Sequence, residues 1–216
     1  MAPEDPVQTY QEPDDDPPYI TTDDHVKFLR VPAPCRQVTD VPEYRFDDIR
    51  TDDIVIDIGA NIGAFAIRAA RLSRRVIAVE PLTCDILEQN IRLNGVGAGV
   101  RIIRGALGDG SPAQVRWDNR EVKMPTLTLR GIIAIAGGCD FLKCDCEGAE
   151  WCIDPADLAG VRRIEMELHL PPISGQPDPL LLEYISRQYE FELSRVPCHG
   201  PLGLMGYLHA VRKDRR

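Results

Sequence analysis

Short apolar runs alternate with segments of helical spacing along the middle of the chain. Ile54 to Ile58 and Val76 to Glu80 are apolar runs that each carry one acid near the end, as strands buried on both faces can. Between them, Ala64 to Leu72 has its apolar positions at helical spacing. Because parallel strands need crossover connections, this alternation predicts an α/β sheet covered by helices.

The remaining segments continue the alternation and indicate how the sheet ends. Further strands are predicted at Val100 to Ile103, Phe141 to Cys146 and Ile164 to Leu168, helices at Cys84 to Asn94 and Pro179 to Tyr189, short additions at Ala113 to Trp117 and Thr126 to Leu129, and a closing hairpin from Phe191 to Arg195 and Gly206 to Val211. The pattern therefore predicts an open α/β sheet with an antiparallel end.

The segment Asp57 to Phe65, D-I-G-A-N-I-G-A-F, joins the first apolar run to the first helix through a glycine turn. Such a turn lies at the carboxyl end of a strand, where open α/β sheets bind ligands. The dinucleotide fingerprint G-x-G-x-x-G needs glycine where this chain has Asn61, and Asp57 would repel a diphosphate. S-adenosylmethionine has no phosphate and carries positive groups, so we expect it as the cofactor, with NAD as the alternative.

We expect this cofactor to contact the glycine turn and the acid that ends the second apolar run. The predicted contacts are Asp57, Gly59, Ala60, Asn61, Gly63, Glu80 and Pro81. A carboxylate at the position of Glu80 suits the two hydroxyls of a ribose.

Four segments carry a further signal: Asp57 to Phe65, Ala78 to Gly95, Phe141 to Trp151 and Ile164 to His169. The most specific is L-K-x-D-x-E-G-A-E, which is found at Leu142 to Glu150. Together they resemble the FkbM-type family of class I S-adenosylmethionine-dependent methyltransferases, over about Phe46 to His169. The resemblance implies a Rossmann-like, doubly wound, mostly parallel seven-stranded sheet with a C-terminal antiparallel hairpin. It also implies backbone contacts to adenine at Ala106 and Leu107, and methyl transfer that is most often to oxygen.

Polar side chains alternate along the fourth and fifth predicted strands. Asp145 shares a strand face with Lys143 and Glu147, and Glu165, Glu167 and His169 share a face of the next strand. If these strands are parallel neighbours, their ends gather the acids near the cofactor. We expect His169 or Asp145 as the general base, Asp145 also as a cofactor contact, Glu147 as a positioning group, and Lys143 as a partner of an acid or of an oxyanion. We predict no metal, with a divalent ion bridging these acids as the alternative.

The formal net charge of −9 argues against a dominant nucleic-acid surface, because phosphate neutralisation needs clustered Lys and Arg. We therefore expect a hydroxyl of a small molecule or a glycan as the methyl acceptor, and nucleic acid as an unlikely partner. Methylation of tRNA stays open as an alternative, since N-x-x-L-N at Asn90 to Asn94 is similar to a helix of some tRNA enzymes. A NAD-dependent oxidoreductase and a catalytically silent S-adenosylmethionine-binding protein are the alternatives from other classes.

Composition divides the chain into three parts. Residues 1–18 are acidic and proline-rich and are expected to be disordered, residues 19–46 form an extension or lid, and residues 47–216 form the methyltransferase domain. No apolar stretch is long enough to span a membrane and the start lacks the pattern of an export signal, so we expect a cytoplasmic protein. The oligomeric state stays open.

Overall fold

The computed structural model describes residues 18–31, 37–117, 120–171, 176–195 and 203–214. The strands are β1 (Tyr19–Thr21), β2 (Lys27–Leu29), β3 (Ile54–Ile58), β4 (Arg75–Glu80), β5 (Val100–Arg104), β6 (Ala106–Leu107), β7 (Pro112–Trp117), β8 (Arg120–Leu127), β9 (Phe141–Cys144), β10 (Arg163–His169), β11 (Tyr189–Arg195) and β12 (Leu204–Arg212). The helices are α1 (Ala64–Ala69), α2 (Cys84–Leu93), α3 (Leu129–Ala136) and α4 (Pro179–Gln188), and 3-10 turns lie at Ala149–Cys152 and Pro155–Gly160. The predicted disorder of residues 1–18 falls almost wholly outside the described residues.

Seven of these strands form one sheet in the order β11-β12-β10-β9-β3-β4-β5. The strands β10, β9, β3, β4 and β5 pair in parallel, while β12 runs antiparallel to both β10 and β11. The predicted fold class, a mostly parallel seven-stranded sheet with an antiparallel hairpin at its end, is thereby confirmed. The carboxyl ends of β3, β4, β9 and β10 meet at one edge, which positions the site described below.

Alternate residues of the central strands supply two separate cores, one on each face of the sheet. Ile56 and Ile58 pack in a cluster that includes Leu129 and Ile132 of α3 and Leu181 of α4. The intervening Val55 belongs to a second cluster with residues of α1, α2 and β2, among them Phe65, Leu87 and Phe28. Helices therefore cover both faces, as a doubly wound sheet requires.

Two elements differ from the sequence prediction. Helix α3 was not predicted, because a short and mostly apolar sequence such as L-R-G-I-I-A-I-A does not distinguish a helix from a buried strand. Thr128 and Gly137 cap its ends. Strand β8 begins at Arg120, six residues before the predicted strand, since it pairs along its length with β7. These two strands form a hairpin after β6. Among the described residues, no helix is both long and apolar enough to cross a membrane.

Two asparagines of α2 hold the amino-terminal hairpin β1–β2 against the domain. The Asn90 side chain accepts a hydrogen bond from the Leu29 backbone N–H (2.9 Å) and donates one to the Ile62 carbonyl (2.9 Å). Asn94 accepts from the Lys27 N–H (2.9 Å) and donates to the Lys27 carbonyl (2.7 Å). The N-x-x-L-N segment therefore has a structural role, which is to tie residues 27–29 to the helix.

Replacing Asn90 by Ala should lower the free energy of unfolding by about 2 to 4 kcal/mol, because two buried backbone groups lose their partners. Asn90 is fully buried, whereas Gln89 on the same helix is exposed, so Gln89→Ala is the matched control and should change stability by less than about 0.5 kcal/mol. Urea denaturation of both variants gives the comparison. Equal stabilities would contradict the structural role of Asn90.

Candidate functional site

The glycine turn after β3 lies directly on the end of β9. At Gly59 the backbone has φ of 73°, and an added Cβ would stand 1.7 Å from the carbonyl oxygen of Asp145, so a side chain cannot fit there. The N–H groups of Gly59 and Ala60 both donate to the Val79 carbonyl, at 3.0 and 3.1 Å. The turn is therefore held between the ends of β4 and β9, and its backbone faces the space above them.

Glu80, at the end of β4, organises the same turn. Its carboxylate is buried and accepts hydrogen bonds from the backbone N–H groups of Asn61 (3.0 Å) and Thr83 (2.8 Å), and also from that of Leu82. Three donors from two loops therefore converge on one carboxylate. The acid predicted to bind ribose hydroxyls also fixes the shape of the loops around them.

A cavity of about 310 Å³ opens above these strand ends, within the size range of small-molecule sites. Of the predicted cofactor contacts, those that line it are Gly59, Ala60, Asn61, Glu80, Pro81, Ala106, Leu107 and Asp145. Asp57 and Gly63 do not line it. Two lining side chains, Asn61 and Thr83, have buried oxygen atoms without a hydrogen-bond partner, so the cavity has polar groups that a bound ligand can satisfy.

Asp57 lies beneath the turn and pairs with Lys143 of β9. The two residues are neighbours in the parallel register of β3 and β9, and the Lys143 Nζ is 3.1 Å from the Asp57 carboxylate. Burial raises the pKa of Asp57 and the Lys143 charge opposes this shift. Lys143 also donates to the Gly59 carbonyl (3.0 Å) and lies 3.7 Å from Asp145. Of the two predicted roles for Lys143, pairing with an acid is the one that its contacts provide.

Tyr44 joins two acids that line the cavity. Its hydroxyl lies 3.0 Å from the Asp145 carboxylate and 3.4 Å from that of Glu167. Burial raises the pKa of Tyr44 well above its usual value, and the neighbouring carboxylates raise it further, so the hydroxyl stays protonated and donates. Burial, together with the negative charge of Asp145, raises the pKa of Glu167 to about 8.

His169 lies behind these acids and does not line the cavity. Its Nδ1 is 3.1 Å from Glu150, a fully buried acid whose carboxylate also accepts hydrogen bonds from the His169 N–H (2.6 Å) and the Gly148 N–H (2.9 Å). Its Nε2 is 3.6 Å from Glu147 and 3.8 Å from Glu167. Burial disfavours the imidazolium, yet Glu150, together with Glu147 and Glu167, outweighs it and raises the pKa of His169 to about 9.

The predicted gathering of Asp145, Glu147 and His169 is found, with ligand-type atoms of all three within 4.8 Å of one another. This spacing is also one that a divalent ion could bridge. The imidazolium of His169, however, already supplies a positive charge to this group of acids. Ion pairs join His169 to Glu147, Glu150 and Glu167.

Glu165 shares the strand face of Glu167 and His169 but has a structural role. It is fully buried, pairs with the Arg163 guanidinium, and lies 2.6 Å from His209 Nδ1. The backbone N–H of Arg45 donates to it as well (3.1 Å). Three polar partners, of which Arg163 and His209 are buried, thus satisfy Glu165 away from the cavity.

Sequence reasoning missed Tyr44, Thr83 and Glu43, which either line the cavity or hold its acids. Glu43 and Tyr44 precede the first strand of the main sheet and carry no local motif. Only a contact between residues about 100 positions apart, such as Tyr44 with Asp145, brings them to the site. Thr83 follows the acid Glu80 closely, and its position at the start of α2 was the available signal.

A family model described as "TRM5/TYW2 methyltransferase domain" matches residues 46–135, which include the glycine turn, Glu80 and α2. This is a different family from the FkbM type. A ribosomal protein L11 methyltransferase of Pelotomaculum thermopropionicum is 39% identical over 62 residues, and an uncharacterized protein of Methanocaldococcus jannaschii is 39% identical over 56 residues. These matches cover 27% and 25% of this chain and only about a fifth of each relative, 20% and 21%.

Solved structures agree on the fold. An rRNA methylase from Streptococcus thermophilus has a TM-score of 0.52 at 11% identity, with 77% of this chain and 91% of that chain covered. A dimethyladenosine transferase from Plasmodium falciparum also has a TM-score of 0.52, at 10% identity, with 82% and 64% covered. The chain has the class I methyltransferase fold, and residues 46–135 match a methyltransferase domain. Its cofactor is S-adenosylmethionine, as the glycine turn predicted, and the NAD alternative is not supported.

One sequence expectation is overturned by the family match. The TRM5/TYW2 domain points to a tRNA substrate, so the expectation that nucleic acid is an unlikely partner, and that the acceptor is a small molecule or a glycan, is wrong. The physical reason is that net charge sums over the whole chain, whereas binding of phosphates depends on the local charge of one surface.

Calorimetric titration should show binding of S-adenosylhomocysteine at micromolar level or tighter, and no heat with NAD. Glu80→Ala should weaken this binding by about 2 to 3 kcal/mol, because ribose loses a charged acceptor and the surrounding loops lose a shared one. Glu88→Ala, on the outer part of α2, is the control and should bind S-adenosylhomocysteine as tightly as the wild-type protein does. Tight binding of NAD would exclude the cofactor assignment.

Proposed function

We propose that this methyltransferase transfers a methyl group from S-adenosylmethionine to a base of tRNA. The observation that carries the proposal is the match of residues 46–135, the half of the domain that holds the glycine turn, to the TRM5/TYW2 domain. The finer FkbM resemblance rests mainly on Leu142 to Glu150, which lies outside the matched residues.

The cavity provides separate groups for the two parts of this reaction. The residues that fit the cofactor are the backbone of the glycine turn, Glu80 with its loop, and the unsatisfied oxygens of Asn61 and Thr83. S-adenosylmethionine supplies a methyl group bound to a positively charged sulfur. The remaining lining acids, Asp145, Glu147 and Glu167, attract that positive charge and offer carboxylates to the proton that the acceptor loses.

The β7–β8 hairpin supplies a basic rim beside this cavity. Ala113 to Arg116 of β7 line the cavity, and Lys123 of β8 lies directly across from Gln114, next to this lining segment. Arg116 and Lys123 are exposed. Arg116 pairs with Glu121 at 2.9 Å, an exposed contact that a phosphate can replace at little cost. The rim therefore suits a phosphate backbone whose base enters the cavity.

The direct test is transfer of a labelled methyl group from S-adenosylmethionine to total tRNA, prepared from cells that lack the gene for this chain. We expect the label in tRNA, and none when Glu80→Ala replaces the unchanged protein. Nucleoside analysis of the product then identifies the methylated atom. Label that enters small-molecule or glycan fractions and is absent from tRNA would overturn the proposal.

Lys123→Glu should raise the KM for tRNA by about threefold to tenfold and leave kcat unchanged, because the substitution removes a phosphate contact but no group of the cavity. The slope of the logarithm of the tRNA binding constant against the logarithm of the salt concentration should also decrease in magnitude by about one. Arg74→Glu is the matched control, since Arg74 is exposed at the amino end of β4, on the edge of the sheet away from the cavity. If both variants behave alike, the hairpin is not the contact surface.

A further inference from the structure

The acids and the histidine at the ends of β9 and β10 form two layers. Asp145, Glu147 and Glu167 line the cavity, whereas His169 does not and its side chain is only 3% exposed. An acceptor atom in the cavity therefore meets carboxylate oxygens before it can meet the imidazole. This order places the histidine in a supporting position.

We propose that Asp145 and Glu167 form the pair that accepts the proton of the methyl acceptor, and that His169 is their counter-ion and not the base. This inference rests on the proposed methyl transfer and assigns the roles within it. Of the two bases expected from the sequence, His169 or Asp145, it keeps Asp145, and it adds Glu167.

The geometry of the pair supports its role. One hydroxyl, that of Tyr44, donates toward both carboxylates, at 3.0 Å to Asp145 and 3.4 Å to Glu167. Two partly buried carboxylates that meet at one hydroxyl repel each other when both are ionised, so the pair keeps one proton until the pH is high. With the pKa of Glu167 at about 8, the fully ionised pair is a stronger base than an ordinary carboxylate.

The surroundings of His169 support the counter-ion role. Glu150, at 3.1 Å from Nδ1, is fully buried, and a buried carboxylate needs a positive partner. Glu147 and Glu167 lie 3.6 and 3.8 Å from Nε2 on the other side of the ring. An imidazole enclosed by three acids is protonated at neutral pH, and an imidazolium cannot accept another proton.

Charged and titratable groups reach the pair from every element packed around it. These are Glu43 and Tyr44 from the segment before β3, Lys143 and Glu147 from β9 and its following loop, His169 from β10 itself, and Tyr207 from β12, which lies across from Glu167. Lys143 and His169 are the cations of this group, and Lys143 is shared with Asp57. The imidazolium is therefore the charge that keeps the pKa of Glu167 from rising further.

The proton transfer balances without any further reactant. As the acceptor nitrogen or oxygen bonds to the methyl carbon, the carbon–sulfur bond breaks and its electron pair stays on sulfur. The proton of the acceptor passes to the ionised carboxylate pair, and solvent removes it afterwards.

The first experiment measures methyl transfer to the tRNA fraction as a function of pH. The unchanged protein should show a rate that rises with pH through a midpoint near 8, because the pair must lose its proton before it can accept one. Glu167→Gln and Asp145→Asn should each slow transfer by about 100-fold or more at every pH, and Glu167→Gln, which is not a predicted cofactor contact, should bind S-adenosylhomocysteine within threefold of the wild-type protein. Glu183→Gln, on the exposed part of α4, is the control. Full turnover by either site variant would overturn the pair.

His169→Gln distinguishes the two roles. Loss of the counter-ion should move the midpoint of the rate profile upward by about one pH unit, with the rate near pH 10 within a few-fold of the unchanged protein. If His169 is the base, the variant stays slow at every pH, and the inference fails.

A second measurement needs no substitution within the site and no knowledge of the methyl acceptor. Proton NMR of the histidine rings of the wild-type protein should show a titration midpoint at pH 8 or above for the ring of His169. Substitution of His25, His199 and His209 one at a time assigns the remaining signal. A midpoint below pH 8 for His169 would overturn the counter-ion role, whether or not tRNA proves to be the substrate.

Discussion

The buried ammonium of Lys143 is the contact on which the site depends. It lies in the middle of the sheet, 3.1 Å from Asp57 and 3.7 Å from Asp145, and it also binds the Gly59 carbonyl. Its two acids belong to different strands, and the carbonyl belongs to the cofactor turn. Without Lys143, the fully buried Asp57 would keep its charge with no partner or take up a proton, and either change would free the turn.

Lys143 is also the centre of a polar row that crosses the sheet in register. From β3 to β11 the row consists of Asp57, Lys143, Glu165, His209 and Glu192, each placed across from the next. Asp57 and Glu165 are fully buried, so this row places polar side chains where buried strands usually have apolar ones. Two residues further toward the carboxyl ends of β9 and β10, the same face of the sheet carries Asp145 and Glu167, which line the cavity. The structural row thus supports the layer of acids that faces the ligand.

Elements whose signal lies in one short segment were predicted from the sequence. Contacts that depend on how the strands pair were missed. The strand, turn and helix from Ile54 to Ala69 were identified because apolar spacing and the glycine turn lie in one short segment. Alternation also identified the polar face of β10, but it could not separate Glu165, which His209 satisfies, from Glu167, which faces the cavity. That difference depends on partners 44 and about 120 residues away along the chain. Asp57 was assigned to the cofactor for the same reason, since its partner Lys143 is visible only once β3 and β9 are paired.

The net charge of the chain combines two groups of charged residues that lie at different depths. One group is buried beneath the cavity, and the other is exposed at its opening. The acids that make the chain negative include Asp57, Glu150 and Glu165, which are buried beneath the cavity and held by cations or by hydrogen bonds. They set the protonation of the groups around them, and they present no charge to a partner at the surface. At the opening, the exposed hairpin instead presents Arg116 and Lys123. In the proposed function, the inner acids act on a sulfonium and a departing proton while the outer cations act on phosphates. A chain of net charge −9 can therefore bind a polyanion through one face without any change in its interior.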